Sequence, residues 1–257
     1  MLLVIDIGNT NTSLGVFESE SLRAHWRLTT ARSRTVDEWG VHARNLFALA
    51  GLDFKSIDAI AIASVVPPLN FTLRQMSETY FQVTPLFIDH TIDTGVPILY
   101  DPPSDVGADR LVDAVAAIEK YGAPCIVVDF GTATTFDAIN SKGEYLGGVI
   151  TPGITISSDA LFERAAKLPR VEIKRPQKVI GSDTVRAMQS GLYHGYAGLV
   201  DGILKKMIDE LGGAPKVIAT GGFAPLIAKG SEFIQEVDQN LTLDGLRLVY
   251  ERVAGLH

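Results

Sequence analysis

The chain has 257 residues, of which 46% are hydrophobic and 21% are charged, and its formal net charge at pH 7 is −7. This is a globular composition, long enough for two domains of about 120 residues or one large α/β domain. The acidic balance excludes general nucleic-acid binding, which needs a basic excess to neutralise phosphates, but leaves room for a small anion in a locally positive pocket. No run of the sequence approaches the roughly 18 apolar residues of a membrane span, and we expect a soluble, cytoplasmic protein.

The first predicted element is an apolar strand that begins at Leu2 and carries Asp6 near its end. Gly8 and a series of hydroxyl and amide side chains up to Ser13 follow it. Glycine admits a phosphate close to the backbone, and a carboxylate can orient a hydrated Mg²⁺. The pattern therefore indicates a phosphate-binding turn, with an Asx-type turn in an ordinary hairpin as the alternative.

The next informative segment runs from Tyr100 through a proline pair into a predicted helix. Ser104 or Asp105 is a candidate N-cap, which places Asp109 and Arg110 near the first turn, where a helix favours anions. An acid beside an arginine suits an alcohol substrate that also carries a carboxylate, because the acid accepts the hydroxyl proton. A helix-start aspartate next to a surface arginine is the alternative.

The pattern of the first strand returns in "CIVVDFGTATTFDAIN", from Cys125 to Asn140. Asp129 and Gly131 match Asp6 and Gly8, and both copies predict a β-hairpin that opens a sheet. Thr132 lies where it can donate to a phosphate. Two carboxylates beside one polyphosphate require cations, so a divalent or monovalent ion is implied. Cys125 itself is expected to be a buried core residue.

A second pair of strands also matches, from Ile57 to Pro67 and from Pro215 to Pro225. The predicted halves are residues 1–121 and 122–257, each with strands first and then helix, strand and helix, and a last helix is expected from Asp244 to Ala254. This duplication resembles the actin, hexokinase and Hsp70 superfamily. The resemblance implies an α/β fold of two RNase H-like, actin-like ATPase domains, with a nucleotide cleft between them.

A long helix is predicted from Asp183 to Gly212, and it carries four glycines on one face. The four are Gly191, Gly195, Gly198 and Gly202. Each glycine costs about 0.5–1 kcal/mol in a helix relative to alanine, which indicates close backbone approach at this face. Packing inside the chain and a dimer interface are the two interpretations. The five histidines show no metal-ligand spacing, so no transition-metal site is expected.

With these motifs in place, the sequence closely resembles the type III pantothenate kinases. The matching elements, in family order from Leu2 to about Gly245, are "DIGNTNTS", "GADR", "DFGTATTFD", "GGVITPG", "KLP", "GSDTVRAMQSG" and "ATGG". The resemblance implies transfer of the ATP γ-phosphate to the primary hydroxyl of pantothenate, the first step of coenzyme A synthesis. It also implies a homodimer with pantothenate bound near the subunit interface.

The resemblance assigns roles to individual residues. Asp109 is expected to accept the substrate proton, Asp129 to hold a monovalent cation (K⁺ or NH₄⁺), and Asp6 to approach Mg²⁺ through water. The expected ATP-binding residues are Asp6, Ile7, Gly8, Asn9, Thr10, Asn11, Thr12, Ser13 and Thr132. The expected pantothenate-binding residues are Tyr100, Gly107, Ala108, Asp109, Arg110 and Thr184. One departure is Pro102, where many relatives have asparagine, so one side-chain amide on the pantothenate side is missing.

Two other functions fit parts of the sequence. A phosphatase or exopolyphosphatase on the same fold uses water as the acceptor, but the Asp109–Arg110 pair argues against it. A transcriptional accessory factor is the non-catalytic alternative, since some relatives have been described that way. The acidic balance and the absence of a helix-turn-helix signature disfavour it.

Overall fold

The structure, a computed structural model, describes residues 1–256, and these form two compact units. The first unit contains Met1–Ala116 together with the chain from Leu241 onward, and the second contains Ala117–Asn240. None of the helices in the described chain has the length and apolarity needed to span a bilayer.

The first unit is built on a five-stranded sheet in the order β3-β2-β1-β4-β5. Its strands are β1 (Leu2–Ile7), β2 (Asn11–Glu18), β3 (Ser21–Thr29), β4 (Ala59–Ser64) and β5 (Leu86–Ile88). Its helices are α1 (Val36–Leu49), α2 (Asn70–Met76), the start of α3 (Ala108–Tyr121), and α7 (Leu241–Val253). β1, β2 and β3 pair antiparallel, whereas β4 and β5 join β1 in parallel.

The core of the first unit explains why β1 is almost wholly apolar. Leu3, Ile5 and Ile7 are fully buried and share one cluster with Trp39 and Phe47 of α1. α7 packs against β1 and β4 as well. A strand that packs against helices is typically a continuous run of hydrophobic residues. Asp6 is the exception in β1, and a packing role does not explain it.

The second unit repeats this plan, with a sheet in the order β10-β9-β6-β7-β8. Its strands are β6 (Cys125–Phe130), β7 (Ala133–Ile139), β8 (Tyr145–Pro152), β9 (Lys216–Gly221) and β10 (Glu236–Val237). Its helices are α4 (Ile154–Arg164), α5 (Thr184–Leu211) and α6 (Ala224–Ile227). β6, β7 and β8 pair antiparallel, and β9 lies parallel to β6.

The predicted duplication is confirmed in topology. Both hairpins open their sheets, and the second pair of matching segments forms β4 and β9, each parallel to the first strand of its own unit. Cys125 is buried as expected, and burial raises the pKa of its thiol to about 12. α5 also matches its predicted bounds, because Asp183 accepts a hydrogen bond from the Arg186 amide and so caps the helix.

Three predicted details differ. Ser104 and Asp105 do not cap α3, because residues Pro103–Asp105 form a separate 3₁₀ turn and the helix begins at Ala108. The last helix begins three residues earlier than expected, at Leu241. The sequence assigns this segment to the second half, whereas its packing on β1 and β4 places it in the first unit.

Candidate active site

The β1–β2 turn (residues 8–11) forms the first part of the candidate site. Asp6 is half-buried near the end of β1, while Asn9 and Thr10 are exposed. The amide of Gly8 donates to the carbonyl of Asn11 at 3.0 Å, which closes the turn on itself. The exposed side chains are therefore carried by a compact loop at the end of a buried strand.

Thr30, just beyond β3, supports this turn, and the sequence analysis did not identify it. Its hydroxyl donates to the Gly8 carbonyl at 2.8 Å, and its amide donates to the Thr10 carbonyl at 2.9 Å. Arg32 adds a bond from Nη2 to Oδ1 of Asn9 at 3.1 Å. These partners lie about twenty positions away along the chain, and no local pattern signals them.

Two of the predicted ATP-binding residues face the interior. Ile7 and Thr12 are fully buried, and the Thr12 hydroxyl lies 2.9 Å from the Thr30 hydroxyl. The Thr12 side chain thus belongs to the support of the turn. Gly8, Asn11 and Ser13 are partly exposed, as is Asp6.

The start of α3 forms the second part of the candidate site in the first unit. Oδ1 of Asp109 accepts a hydrogen bond from the Arg110 amide at 2.8 Å, in the first turn of the helix as predicted. A Cβ on Gly107 would lie 2.5 Å from Oδ1 of Asp109 and 3.4 Å from Cγ1 of Val65. Any side chain at residue 107 would therefore clash with the Asp109 carboxylate, which explains the glycine. Val65 also lies beside this position, and the motif alone does not indicate it.

The remaining predicted pantothenate residues of the first unit are close in the chain to Asp109. Ala108 is buried in the first turn of α3, whereas Arg110 and Tyr100 are half-buried. The first unit therefore carries all the residues predicted from Asp6 to Ser13 and from Tyr100 to Arg110. Asp129, Thr132 and Thr184 belong to the second unit.

The β6–β7 turn (residues 131–133) presents Asp129 between two glycines. A Cβ on Gly131 would lie 3.2 Å from one carboxylate oxygen of Asp129, and a Cβ on Gly221 would lie 2.3 Å from the other. Gly221 also has a φ of +87°, which L side chains rarely adopt. The carboxylate thus lies so close to the backbone of residue 221 that any side chain there would press against it.

Two glycines of "GGVITPG" lie against the β6–β7 hairpin, Gly153 at its turn and Gly148 farther along β7. A Cβ on Gly153 would lie 2.2 Å from the Thr132 carbonyl, and one on Gly148 would lie 1.6 Å from the Phe136 carbonyl. β8 and the start of α4 therefore touch the hairpin directly with their backbone. Thr132 is exposed at the tip of the turn.

Thr184 begins α5 and lines an apolar groove between α4 and α5 of about 690 Å³. Gly191 and Gly195 line the same groove. No atom of the described chain outside the helix's own backbone and immediate neighbours lies within 4 Å of a Cβ built on any of the four glycines in the face. Packing inside the chain was therefore the wrong interpretation of this face, which is open.

Within residues 1–256 there is no group of three or more His, Cys, Asp or Glu side chains that could hold a metal ion. Mg²⁺ bound to a nucleotide does not need such a group, because it keeps several waters and takes one or two carboxylates besides the phosphate oxygens. Asp6, near the turn end of β1, has the chemistry for that kind of partial ligation.

A family model and close relatives of this chain carry the same family name. A family model described as type III pantothenate kinase matches residues 2–206. The type III pantothenate kinase of Koribacter versatilis is 60% identical over 98% of this chain and 96% of its own length. That of Anaeromyxobacter sp. strain Fw109-5 is 62% identical over 98% of this chain and 99% of its own length.

Solved structures support the fold. A conserved putative Baf family transcriptional activator from Campylobacter jejuni matches with a TM-score of 0.59 at 19% identity, over 98% of this chain and 99% of its own. The ROK hexokinase from Thermus thermophilus matches with a TM-score of 0.52 at 13% identity, over 98% and 99% of the two chains. The fold is therefore that of the hexokinase-like and actin-like ATPases, and with the family model and the near-full-length relatives it follows that this chain belongs to the type III pantothenate kinase family.

Proposed function

We propose that this chain transfers the γ-phosphate of ATP to the primary hydroxyl of pantothenate, giving 4′-phosphopantothenate, with Asp109 as the proton acceptor. The position of Asp109 carries the residue assignment. It stands in the family motif "GADR", in the first turn of α3, where the helix N-terminus stabilises negative charge. The Arg110 amide fixes one of its oxygens, so the carboxylate has a defined orientation toward an incoming hydroxyl.

Phosphoryl transfer needs mainly positioning and charge neutralisation, because its transition state is loose. In this account, the exposed Asn9 and Thr10 of the β1–β2 turn and Thr132 of the β6–β7 turn bind ATP phosphates. Arg110 holds the carboxylate of pantothenate with a guanidinium fork. Asp109 orients the hydroxyl and receives its proton as the new P–O bond forms.

Two cations complete the proposal, Mg²⁺ near Asp6 through water and K⁺ or NH₄⁺ at Asp129. Neutralisation of the phosphate oxygens is the chemistry that they supply. The glycines at residues 131 and 221 support the second site, since each would place a side chain against the Asp129 carboxylate if it were any other residue.

We also infer that the chain works as a cytoplasmic homodimer through the glycine face of α5. This face is open in the described chain and borders a groove next to the exposed apolar side chains of Ile156, Leu161 and Phe162. Thr184 lines the same groove, which supports a pantothenate site close to the second copy. Light scattering that gives the mass of one chain at micromolar concentration would contradict this part.

The role of Asp109 is tested by Asp109→Asn, which keeps the shape of the side chain and removes its basicity. We expect turnover to fall by roughly 10²–10⁴-fold, the usual contribution of general acid–base catalysis. The thermal midpoint is expected to stay close to that of the unaltered chain. Asp105→Asn is the matched control, because Asp105 is exposed in the preceding turn. Near-normal turnover of Asp109→Asn would overturn the assignment.

A further inference from the structure

Thr30 takes up two of the backbone acceptors of the β1–β2 turn. Its hydroxyl bonds the Gly8 carbonyl and its amide bonds the Thr10 carbonyl. The Asn11 carbonyl is used by the Gly8 amide. Carbonyl oxygens repel phosphate, so a turn that binds an anion has to direct them away from it. Here three of them are bonded to groups of the protein, and Thr30 supplies the donors for two.

The directions of the protons follow from the chemistry of the groups. A carbonyl only accepts, so the single hydroxyl proton of Thr30 is committed to Gly8. The Thr12 hydroxyl, 2.9 Å away, must then be the donor to Thr30. The result is a chain from Thr12 through Thr30 to Gly8, and Thr12 at its far end is fully buried. Linked hydrogen bonds of this kind polarise and strengthen one another.

The same bond fixes the direction of one amide. In a trans peptide the N–H and the C=O point in opposite directions. The peptide between Gly8 and Asn9 has its carbonyl bound to Thr30, so its N–H, on Asn9, points away from Thr30. Arg32 holds the exposed side chain of the same Asn9. Thr30 therefore sets which way the exposed tip of the turn offers its donors.

We propose that Thr30 is a positioning residue for ATP: it does not touch the nucleotide but holds the β1–β2 turn in the form that binds the phosphates. This rests on the proposed role of that turn in ATP binding. Arg32 assists from the exposed side through Asn9, and its contribution is smaller because its bond is in contact with water.

The test replaces Thr30 by valine, which keeps the branched shape and removes the hydroxyl. We expect the KM for ATP to rise roughly 10-fold or more, as loss of a hydrogen bond that leaves a carbonyl without its partner predicts. The KM for pantothenate is expected to change by less than about 2-fold, since the turn does not bind that substrate. Thr30→Ser keeps the hydroxyl and should restore the original KM for ATP.

Thr29→Val is the matched control, because Thr29 is the exposed neighbour at the end of β3. Thr30→Ala removes the same hydroxyl and replaces Thr30→Val if the valine variant does not fold. Thr12→Val combined with Thr30→Val should reduce the binding free energy of ATP by less than the sum of the two single changes, because both residues belong to one chain of hydrogen bonds.

The outcomes separate the two levels of the proposal. A Thr30→Val KM for ATP equal to that of Thr29→Val, or an equal rise in both KM values, would overturn the role of Thr30. Direct titration of the unaltered chain with a non-hydrolysable ATP analogue tests the turn itself. If that chain binds no nucleotide, the proposed function fails, whatever the variants do. If it binds the analogue and Thr30→Val binds it as tightly, only the positioning role fails.

Discussion

In the first unit Ile7 pairs with Thr12 across the hairpin, whereas in the second Phe130 pairs with Thr134. The β1–β2 turn therefore has one residue more than the β6–β7 turn. Beside them, Asn11 pairs with Thr29 and Ala133 with Pro152. The residues that follow the third strand of each unit, Thr30 and Gly153, are thus equivalent positions.

These equivalent residues support their turns in different ways. Thr30 reaches the Gly8 carbonyl with its hydroxyl, while Gly153 lies so close to the Thr132 carbonyl that a Cβ would be 2.2 Å from it. The buried threonines show the consequence. Thr12 donates to Thr30, whereas the Thr134 hydroxyl has no hydrogen-bond partner in the described chain, since Gly153 has no side chain to offer. The longer turn is supported by a side chain and the shorter one by backbone contact.

The carboxylates differ as well. Asp6 and Asp129 are the next-to-last residues of equivalent strands. The neighbouring parallel strand ends in Ser64, opposite Ile7, in the first unit and in Gly221, opposite Phe130, in the second. A side chain at the strand-end position would therefore meet the Asp129 carboxylate in the second unit, where the residue is Gly221. The difference fits the proposal of separate tasks for the two copies, with the monovalent cation at the second.

Gly221→Ser makes the second unit like the first and should have the largest effect. The new Cβ would lie 2.3 Å from an Asp129 oxygen, at a backbone φ of +87°. We expect the free energy of unfolding, measured with urea, to fall by about 3 kcal/mol from strain and overpacking. The K⁺ concentration for half-maximal activity should rise. Gly131→Ala is the milder control, with its Cβ 3.2 Å from the carboxylate. If Gly221→Ser folds and its activity depends on K⁺ as before, the proposal that Asp129 binds the monovalent cation would be contradicted.

Gly153→Ala should have the next largest effect, because the neighbour it meets is backbone. We expect a loss of about 2 kcal/mol in the free energy of unfolding, typical of overpacking. The displaced β6–β7 turn should also raise the KM for ATP through Thr132. Ile150→Ala, at an exposed position of the preceding strand β8, should leave both values nearly unchanged. A Gly153→Ala chain as stable as Ile150→Ala would show that the backbone contact is not tight.

The smallest effect concerns Cys125, the one cysteine of the chain, which lies in β6 of the second unit. Its thiol has a pKa raised to about 12 by burial, so we expect very slow reaction with a disulfide reagent at pH 8. Gly153→Ala should speed this reaction more than Thr30→Val does, since only the former loosens the second unit. Equal labelling of Cys125 in both variants would contradict the idea that Gly153 supports the second unit and Thr30 the first.

The same thiol predicts a pH dependence of stability. As pH rises above the ordinary thiol pKa of 9.0, the thiol of the unfolded chain ionises first, so the free energy of unfolding should fall between pH 9.0 and about 12.

Much of this plan is readable from the sequence, and the reasons are physical. Asp6 and Asp129 interrupt strands that are otherwise buried, so the two hairpins, their turns and the duplicated order could be predicted. Asp183 and Gly212 flank α5 with an N-cap and a C-terminal glycine, which fixed its bounds.

What the sequence could not reveal depends on contacts between distant positions. Thr30 looks like any strand-end threonine until its partners at Gly8 and Thr12 are known. Ser104 and Asp105 have the chemistry of a helix cap, but a 3₁₀ turn intervenes before α3. The glycine face of α5 indicated close packing, and only the structure shows that nothing in the described chain covers it.

The central claim is that pantothenate is the acceptor of a cation-assisted phosphoryl transfer. Its most direct test is ADP formation from ATP and Mg²⁺, with and without pantothenate, in K⁺ and again in Na⁺ buffer. The account predicts ADP only when pantothenate is present, formed much faster in K⁺. ADP formed equally fast without pantothenate would mean that water is the acceptor, and it would contradict the account.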